Sequence, residues 1–254
     1  HYSPLDIPDF DFLRDVGFPG MYPFTGGEFP IQPPAEDPSK GDYAGGVVRQ
    51  PWYSGYGTAE DTRDFYQNVM ARGWRGGPNV AFSLSTQCGY DSDHPMARGE
   101  VGRAGVVIDT LRDFEVLYEA FTGPNDLDKI ASNWTINPLA CVIIAMYVAL
   151  AKKRGIPLNR LRGTPQNDNL KEILGRGTCV FPVRPQMRIT RDIFTYCHEQ
   201  LPRMNMISII GYHIREAGAS GVQTAAYTLA NAMDYVRLGI NAGMDVDSLS
   251  LIHI

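Results

Sequence analysis

The sequence predicts an α/β protein built from parallel βα units. Short apolar runs typical of strands alternate with longer amphipathic or apolar runs typical of helices. Helix-start signals stand in front of several of the helical runs. The chain has 254 residues, of which 44% are hydrophobic and 20% charged, so it can bury a sizeable core. Together these observations favour a parallel sheet covered by helices.

The first 50 residues lack a sustained period and are predicted to form an extended arm. Dense Pro and Gly between Gln32 and Gly46 favour a loop there. Five aromatic residues suggest that the arm packs on another surface, namely Phe10, Phe12, Phe18, Tyr22 and Phe24. We therefore divide the chain into an arm, residues 1–50, and a βα region, residues 51–254.

The first unit of the βα region begins with a helix. Thr58 is followed three residues later by Asp61, a capping-box pattern, and the helical period continues to about Arg72. The apolar run at 79–84, NVAFSL, then predicts a strand.

The second unit repeats this order. Thr110 with Asp113 forms another capping-box pattern, and residues 130–136 predict the next strand. Pro138 opens a long apolar helix that ends near Gly155, a placement typical of helix boundaries.

The rest of the chain continues the alternation. Strands are predicted at 161–165, 205–210 and from about Leu249, and helices at 168–174, 187–200 and 221–238. The five strand starts give about four complete units and the beginning of a fifth. This number fits either a smaller open sheet or the first half of an eight-stranded barrel. A half barrel would leave strand edges unpaired, so it should need a partner or a continuation.

Composition excludes several classes of function. The net charge of −5 argues against a nucleic-acid surface, although local Arg and Lys could still hold an anionic ligand. The four cysteines form no CxxC pair, so we expect no metal site. The longest apolar run, 139–151, is too short to span a bilayer, and we see no signal peptide. We expect a cytoplasmic protein with reduced thiols.

Polar loops follow the predicted strands, where functional residues gather in parallel α/β proteins. The loop at 86–95, TQCGYDSDHP, is interpreted either as a rigid, self-hydrogen-bonded loop or as part of a site. In the next, GTPQND, the Thr164 hydroxyl and the Gln166 amide could orient a carbonyl group. Asn167 or Asp168 there could equally be a plain helix N-cap.

Two further loops carry basic side chains. Arg176 stands between two glycines and suits bidentate binding of a carboxylate or phosphate, or is an exposed residue at a helix end. His213 follows the most strand-like run and could hydrogen-bond a carbonyl or donate a proton, or be structural. The sequence contains no catalytic-triad, P-loop, GxGxxG or HExxH pattern.

These segments occur together in a characteristic order. GYDSDHP, GTPQND with LKE, the Arg176 segment with FP, ISIIGYHIREAGA and TLANAMDYVRLGINAGMDVD closely resemble the large-subunit barrel of the methylmalonyl-CoA mutase family, over roughly residues 18–247. The resemblance implies a TIM-type (β/α)8 barrel, of which this chain covers the N-terminal arm and about the first half. It also implies adenosylcobalamin-dependent isomerisation of the carbon skeleton of an acyl-CoA by radical chemistry.

The resemblance further implies roles for individual residues. His213 matches the active-site His that hydrogen-bonds the thioester carbonyl, and Tyr53 matches the Tyr beside the migrating group. Arg176 matches the Arg that holds the free carboxylate of the substrate, which favours methylmalonyl-CoA or succinyl-CoA. Further substrate contacts are implied for Gln166, Thr164, Thr135, Asn79 and Asn133, and cofactor contacts for Tyr212 and Glu216.

The resemblance also implies partners. The cobalamin-binding part is expected on a small subunit or a domain outside these residues, in a homo- or hetero-oligomer. The chain departs from the family pattern where Ser83 replaces an acid. It departs again where Asn79, Ala131 and Asn133 occupy Ser-rich positions of the bore, with the bulky Trp134 alongside. These departures support an alternative, a non-catalytic homologous subunit that binds CoA or stabilises a partner mutase chain. A shortened sequence of a complete enzyme is the third interpretation.

Overall fold

The computed structural model describes residues 8–18, 21–22, 53–72, 76–249 and 251–252. The chain divides into two units, His1–Gln50 and Pro51–Ile254. In the first unit, helix α1 (Phe12–Asp15) begins after Asp11, whose side chain accepts a hydrogen bond from the Arg14 amide. Most of the predicted arm, including Phe24 and the loop at 32–46, lies outside the described residues.

The second unit alternates strands and helices. Its described strands are β1 (Tyr53–Ser54), β2 (Asn79–Ala81), β3 (Ala131–Thr135), β4 (Arg162–Pro165), β5 (Ile207–Ser208) and β6 (Leu251–Ile252). Its described α-helices are α2 (Ala59–Ala71), α3 (Leu84–Cys88), α4 (Leu111–Leu117), α5 (Ala140–Lys153), α6 (Asn169–Lys171), α7 (Val183–Gln200), α8 (Tyr212–Glu216) and α9 (Gly221–Asn241). A π-helical turn, Glu172–Arg176, continues α6.

The strands are parallel and follow chain order. β1 to β4 form one sheet in the order β1-β2-β3-β4, and β5 pairs with β6. A parallel bridge between Gly163 and Met204 joins β4 to the segment before β5, and the Ser208 N–H on β5 donates to the Gln166 carbonyl at 2.9 Å. The predicted α/β class with a parallel sheet is thereby confirmed, whereas closure into a barrel stays a prediction.

The two faces of the sheet differ in polarity. Val80, Trp134 and Pro165 are buried, whereas Asn79, Asn133 and Thr164, each one residue earlier on the same strand, are partly exposed. On the buried face, Trp134 Nε1 donates to the Tyr118 hydroxyl at 3.0 Å, and the Trp134 ring lies 4.8 Å from that of Tyr147 on α5. The core therefore lies between the sheet and the helices. Trp134 belongs to this core and faces away from the asparagines beside which we expected it.

Local hydrogen bonds explain most helix boundaries. The predicted capping boxes at Thr58 and Thr110 are both present. The predicted strand at 79–84 is wrong at its end, because the Ser83 side chain accepts from the Thr86 amide and starts α3. The predicted helix at 168–174 becomes α6 and the π-helical turn, which ends at Gly177 with a φ of 75°. β1 and α8 were not predicted. Among the described helices, none is long and apolar enough to cross a membrane.

Candidate active site

A polar cluster lies where the strands end. Asn137 follows β3, the segment from Gln166 to Arg176 follows β4, and His213 follows β5 on α8. Because these strands are parallel, their carboxyl ends share one edge of the sheet, where ligands of α/β proteins commonly bind. Hydrogen bonds and charge interactions join the side chains into one site.

Glu172 is the centre of the cluster. Its Oε1 accepts from Asn137 Nδ2 at 2.7 Å and lies 3.5 Å from both Lys171 Nζ and Arg176 Nη1. Thr178 Oγ1 donates to the other carboxylate oxygen. The Lys171 and Glu172 side chains are 0% and 2% exposed, and that of Arg176 is 27% exposed. One carboxylate is thus shared by two cations, and Arg176 is the cation that reaches the surface.

Gln166 connects the cluster to the sheet. Its backbone N–H donates to the Trp134 carbonyl at 3.0 Å, which continues the pairing of β3 and β4. Its side-chain Oε1 accepts from Asn137 Nδ2 at 3.1 Å and from Lys171 Nζ at 3.0 Å. The Asp168 N–H donates to Asn137 Oδ1 at 2.9 Å. The predicted residue Gln166 therefore lies inside the cluster, on a loop held by several hydrogen bonds.

His213 lies against the same turn. A Cβ added at Gly175 would lie only 3.0 Å from the His213 carbonyl oxygen, so the π-helical turn and α8 are in close contact. Burial lowers the pKa of His213 to about 4, with further lowering from the charges of Lys171 and Arg176. The imidazole is therefore neutral at neutral pH. Its Nδ1 is buried and has no hydrogen-bond partner among the described residues.

A row of polar side chains crosses the partly exposed face of the sheet. Asn79 on β2, Asn133 on β3 and Thr164 on β4 are direct neighbours in the strand register. Asn205 Nδ2 donates to Thr164 Oγ1 at 2.9 Å and extends the row. Tyr53 on β1 pairs with Asn79 and is 62% exposed. Three predicted substrate contacts, on β2, β3 and β4, therefore lie side by side.

This row continues toward the cluster along the strands. Side chains two residues apart on a strand point to the same face, so Asn133 and Thr135 on β3 share one face, and Asn137 follows shortly after the strand ends. Thr164 lies on the neighbouring strand β4, and Gln166 directly follows that strand. Thr135 is 8% exposed, between the row and the cluster. Polar side chains therefore lead from the partly exposed row at mid-sheet to the buried residues Thr135, Asn137 and Glu172.

Some predicted residues lie apart from the cluster. Tyr212 is 63% exposed, with its ring edge-on to that of His213 at 5.5 Å. Glu216 is exposed, and its side chain has no hydrogen bond or ion pair with any residue that the structure describes. Tyr53 has no described contact with the cluster. The structure thus brings Gln166, Arg176 and His213 together and leaves Tyr53 and Glu216 outside.

The loop at 86–95 is held by a ring stack and by hydrogen bonds to Met96 and Asp109. The Tyr90 and His94 rings stack at 4.5 Å, and His94 Nδ1 accepts from the Met96 amide at 3.1 Å. The Ser92 amide donates to Asp109 Oδ2 at 3.1 Å. This geometry favours the rigid-loop interpretation. Within the described ranges, no group of three His, Cys, Asp or Glu residues could hold a metal ion.

Sequence reasoning missed the buried charges of the site. Asn137, Lys171 and Glu172 form its centre, yet none was singled out. The sequence feature that could have indicated this centre is the pair of adjacent opposite charges in LKE, Lys171 and Glu172. It stands directly after a loop that follows a predicted strand. A local pattern does not distinguish such a pair from an exposed one, because burial depends on the packing of distant helices.

Comparisons with known proteins give a consistent result. The chain matches the family model described as methylmalonyl-CoA mutase over residues 1–251. It is 45% identical to the 2-hydroxyisobutanoyl-CoA mutase large subunit of Aquincola tertiaricarbonis, over 98% of this chain and 42% of that protein. It is 41% identical to the methylmalonyl-CoA mutase large subunit of Streptomyces virginiae, over 98% of this chain and 32% of that protein. It is also 41% identical to methylmalonyl-CoA mutase of Escherichia coli (strain K12), over 95% of this chain and 32% of that protein. The chain spans less than half the length of these relatives.

Proposed function

Because the chain belongs to the methylmalonyl-CoA mutase family, we propose that it forms the acyl-CoA-binding part of an adenosylcobalamin-dependent acyl-CoA mutase. The proposed reaction is isomerisation of a carbon skeleton, of the methylmalonyl-CoA and succinyl-CoA type. One observation carries the proposal: a neutral His213 and a partly exposed Arg176 share a polar cluster where parallel strands end. We assign residues 51–254 to this binding region and residues 1–50 to an arm.

Arg176 is the proposed partner of a free carboxylate on the acyl group. Its contact with Glu172 uses one nitrogen, Nη1, at 3.5 Å, which is long for a charge-assisted hydrogen bond. Glu172 is also shared with Lys171, on which the Asp168 carboxylate acts as well, so the Arg176 guanidinium is left without a bidentate partner. A carboxylate from a ligand would use the bidentate geometry of this guanidinium group.

His213 is the proposed partner of the thioester carbonyl. A neutral imidazole can donate one hydrogen bond to a carbonyl oxygen without bringing a second positive charge beside Arg176. Its buried Nδ1 lacks a partner among the described residues, and such a group is costly unless a ligand or water satisfies it. Gln166, Thr164, Thr135, Asn79 and Asn133 are the proposed contacts along the rest of the acyl-CoA, and Tyr53 is proposed beside the migrating group.

The rim of the site suits a large, flat, partly apolar cofactor. Four apolar or aromatic side chains after the ends of β2, β4 and β5 are between 37% and 68% exposed, namely Leu84, Leu174, Phe181 and Tyr212. Tyr212 and Glu216 on α8 would hold the edge of adenosylcobalamin. When bound, this cofactor supplies the carbon radical that removes a substrate hydrogen. The residues of this chain bind and orient the acyl group and exclude water from it.

We propose that most of the cobalamin contacts come from a small subunit or domain outside these residues, in a homo- or hetero-oligomer in the cytoplasm. The "large subunit" names of two relatives support a subunit partner. The alternative function is a non-catalytic subunit that binds CoA or stabilises a partner chain. It is favoured by the amide side chains of Asn79 and Asn133 in the row that would contact the acyl-CoA.

Removing the Arg176 side chain tests the proposed function. Arg176→Ala should weaken binding of methylmalonyl-CoA by about tenfold or more, because a charge-assisted hydrogen bond is lost. Binding of free CoA should change by less than about twofold, since CoA has no acyl carboxylate. Calorimetric titration of the full-length protein with both ligands measures the two dissociation constants.

Arg188→Ala is the matched control, because Arg188 is exposed on α7 away from the cluster. It should leave both dissociation constants unchanged. An equal loss of affinity for both ligands in Arg176→Ala would contradict the carboxylate role. Turnover assays with adenosylcobalamin and a small subunit separate the two functions: binding without formation of succinyl-CoA would favour the non-catalytic alternative.

A further inference from the structure

The hydrogen bonds around Gln166 determine which way its side-chain amide faces. Lys171 Nζ donates to Gln166 Oε1 at 3.0 Å. Asn137 Nδ2, 3.1 Å from the same oxygen, is also a donor, and its orientation is fixed independently. The Asp168 N–H donates to Asn137 Oδ1 at 2.9 Å, so Nδ2 must be the end that faces Gln166. Two donors therefore require an acceptor, the oxygen of Gln166, at this position.

The other end of the amide is left available. Among the residues that the structure describes, Gln166 Nε2 has no hydrogen-bond partner, and the residue is partly exposed. Gln166 directly follows β4, two residues beyond Thr164 of the polar row, and its backbone N–H continues the pairing with β3. An amide held in this way presents two N–H donors, and no acceptor, at its free end.

We propose that Lys171 is a positioning residue that, together with Asn137, holds Gln166 so that Gln166 recognises an acceptor oxygen of the bound acyl group. This inference rests on the proposed function, because it takes the occupant of the site to be an acyl-CoA. Lys171 itself is 0% exposed and acts through Gln166 rather than on the ligand. The site thereby selects acyl groups that offer carboxylate or carbonyl oxygens over groups that offer donors.

The burial of Lys171 supports a role beyond packing. Burial lowers the pKa of Lys171, whereas the carboxylates of Asp168 and Glu172 act in the opposite direction. A buried charge lowers stability unless its partners are well placed, and apolar side chains often replace such ions without loss of stability. Methionine has a similar length and would fill the same space. The property that methionine lacks is the obligatory donor facing Gln166 Oε1.

A double-mutant cycle tests the inference. The quantity measured is the ratio of the dissociation constants for free CoA and methylmalonyl-CoA, in the full-length protein. Lys171→Met and Gln166→Met should each reduce this ratio by about tenfold, and the double variant should reduce it by no more than either alone. Lys171→Arg, which keeps the charge and the donors, should retain most of the wild-type ratio. Additive losses, or an unchanged ratio in Lys171→Met, would overturn the inference.

A second variant keeps the test decisive if Lys171→Met does not fold, as judged by its thermal unfolding transition. Gln166→Glu retains an acceptor for Lys171 and Asn137 but replaces the exposed NH₂ group with an oxygen. It should lose the preference for methylmalonyl-CoA as fully as Gln166→Met, and a wild-type ratio in this variant would contradict the donor role.

If the wild-type protein itself does not prefer methylmalonyl-CoA to CoA, the proposed function fails. If the preference exists but the cycle is additive, only the present inference fails.

Discussion

At the scale of single residues, the charge state of His213 decides what the site can bind. Burial and the charges of Lys171 and Arg176 lower its pKa to about 4, from an ordinary value of 6.5. A protonated imidazole would add a further positive charge beside Lys171 and Arg176, the two cations that already lower its pKa. The neutral form leaves Arg176 as the cation available to a ligand and gives the thioester oxygen an uncharged donor.

A nuclear magnetic resonance titration of His213 checks this charge state. The ¹³C-labelled imidazole of His213 should titrate near pH 4, and Lys171→Met should raise its pKa because one nearby positive charge is removed. A titration near 6.5 in the wild-type protein would contradict the account. The peak of His213 is assigned by its loss in the variant His213→Gln.

The same shift predicts how stability depends on pH. Between pH 6.5 and 4 the unfolded chain binds a proton at His213 that the folded protein does not, so acidification through this window lowers the free energy of unfolding. Above pH 6.5 this contribution is constant. Denaturant unfolding of His213→Gln should therefore show a weaker loss of stability over that window. His198→Gln, a change on the exposed surface of α7, is the matched control.

Residue chemistry alone predicted part of this site. Arg176 between two glycines and His213 after a strand were identifiable, because each has a side chain suited to an acyl-CoA and a position where loops gather. Lys171, Glu172 and Asn137 were not identifiable as the centre. Their role depends on burial by α7, α8 and α9, which no local pattern reports.

At the scale of elements, helix α9 stabilises the loop that carries the site. Asp168 is 0% exposed and accepts hydrogen bonds from Asn231 Nδ2 at 2.9 Å and from the Tyr235 hydroxyl at 3.0 Å. The Tyr235 oxygen also accepts from the Leu170 N–H at 3.0 Å. One hydroxyl therefore joins α9 to both the N-cap and the first turn of α6. The Asp168 side chain also accepts from the Lys171 N–H, as the predicted N-cap interpretation requires.

Tyr235→Phe tests this connection between α9 and α6. The change removes the hydroxyl and leaves the buried Asp168 carboxylate and the Leu170 N–H each short of one partner. The free energy of unfolding should fall by about 1–3 kcal/mol, the usual cost of such unpaired groups. Denaturant titration of the full-length protein measures it.

Tyr227→Phe on the same helix is the matched control, because Tyr227 is 51% exposed. It should change stability by less than about 0.5 kcal/mol, as is usual for surface positions. Equal stability of the two variants would show that the Tyr235 hydroxyl does not support the loop.

Element boundaries were predictable where a side chain makes a local hydrogen bond. Thr58 and Thr110 form capping boxes within their own segments, so three-residue patterns located both helix starts. The two-residue strand β1 was missed, because its stability comes from pairing with β2, and its own length gives no period. The π-helical turn was also missed, since its shape depends on contact between Gly175 and the His213 backbone.

At the scale of the whole molecule, the parallel sheet brings distant loops to one edge. Residues 137, 166 and 213 are far apart in sequence but follow neighbouring strands, so their side chains share one environment. The alternation of strands and helices predicted this arrangement. It did not decide between an open sheet and a barrel, because six described strands in chain order are compatible with either.

The structure also contains an apolar groove, separate from the polar cluster, where an apolar group could bind. A groove of about 600 Å³ lies between α5 and α7, lined by Ile144, Val148 and Ile193 among others. It offers few charged groups and lies on the helical side of the sheet. An acyl-CoA with a free carboxylate should avoid it in favour of the polar cluster.

A crystal structure of the full-length protein with bound methylmalonyl-CoA tests the central claim most directly. The account predicts the acyl carboxylate within about 3.2 Å of the Arg176 guanidinium and the thioester oxygen at hydrogen-bond distance from His213. The rest of the ligand should run along Thr164 and Asn133. An acyl group bound in the groove between α5 and α7, or with Arg176 and His213 both facing away from it, would contradict the account.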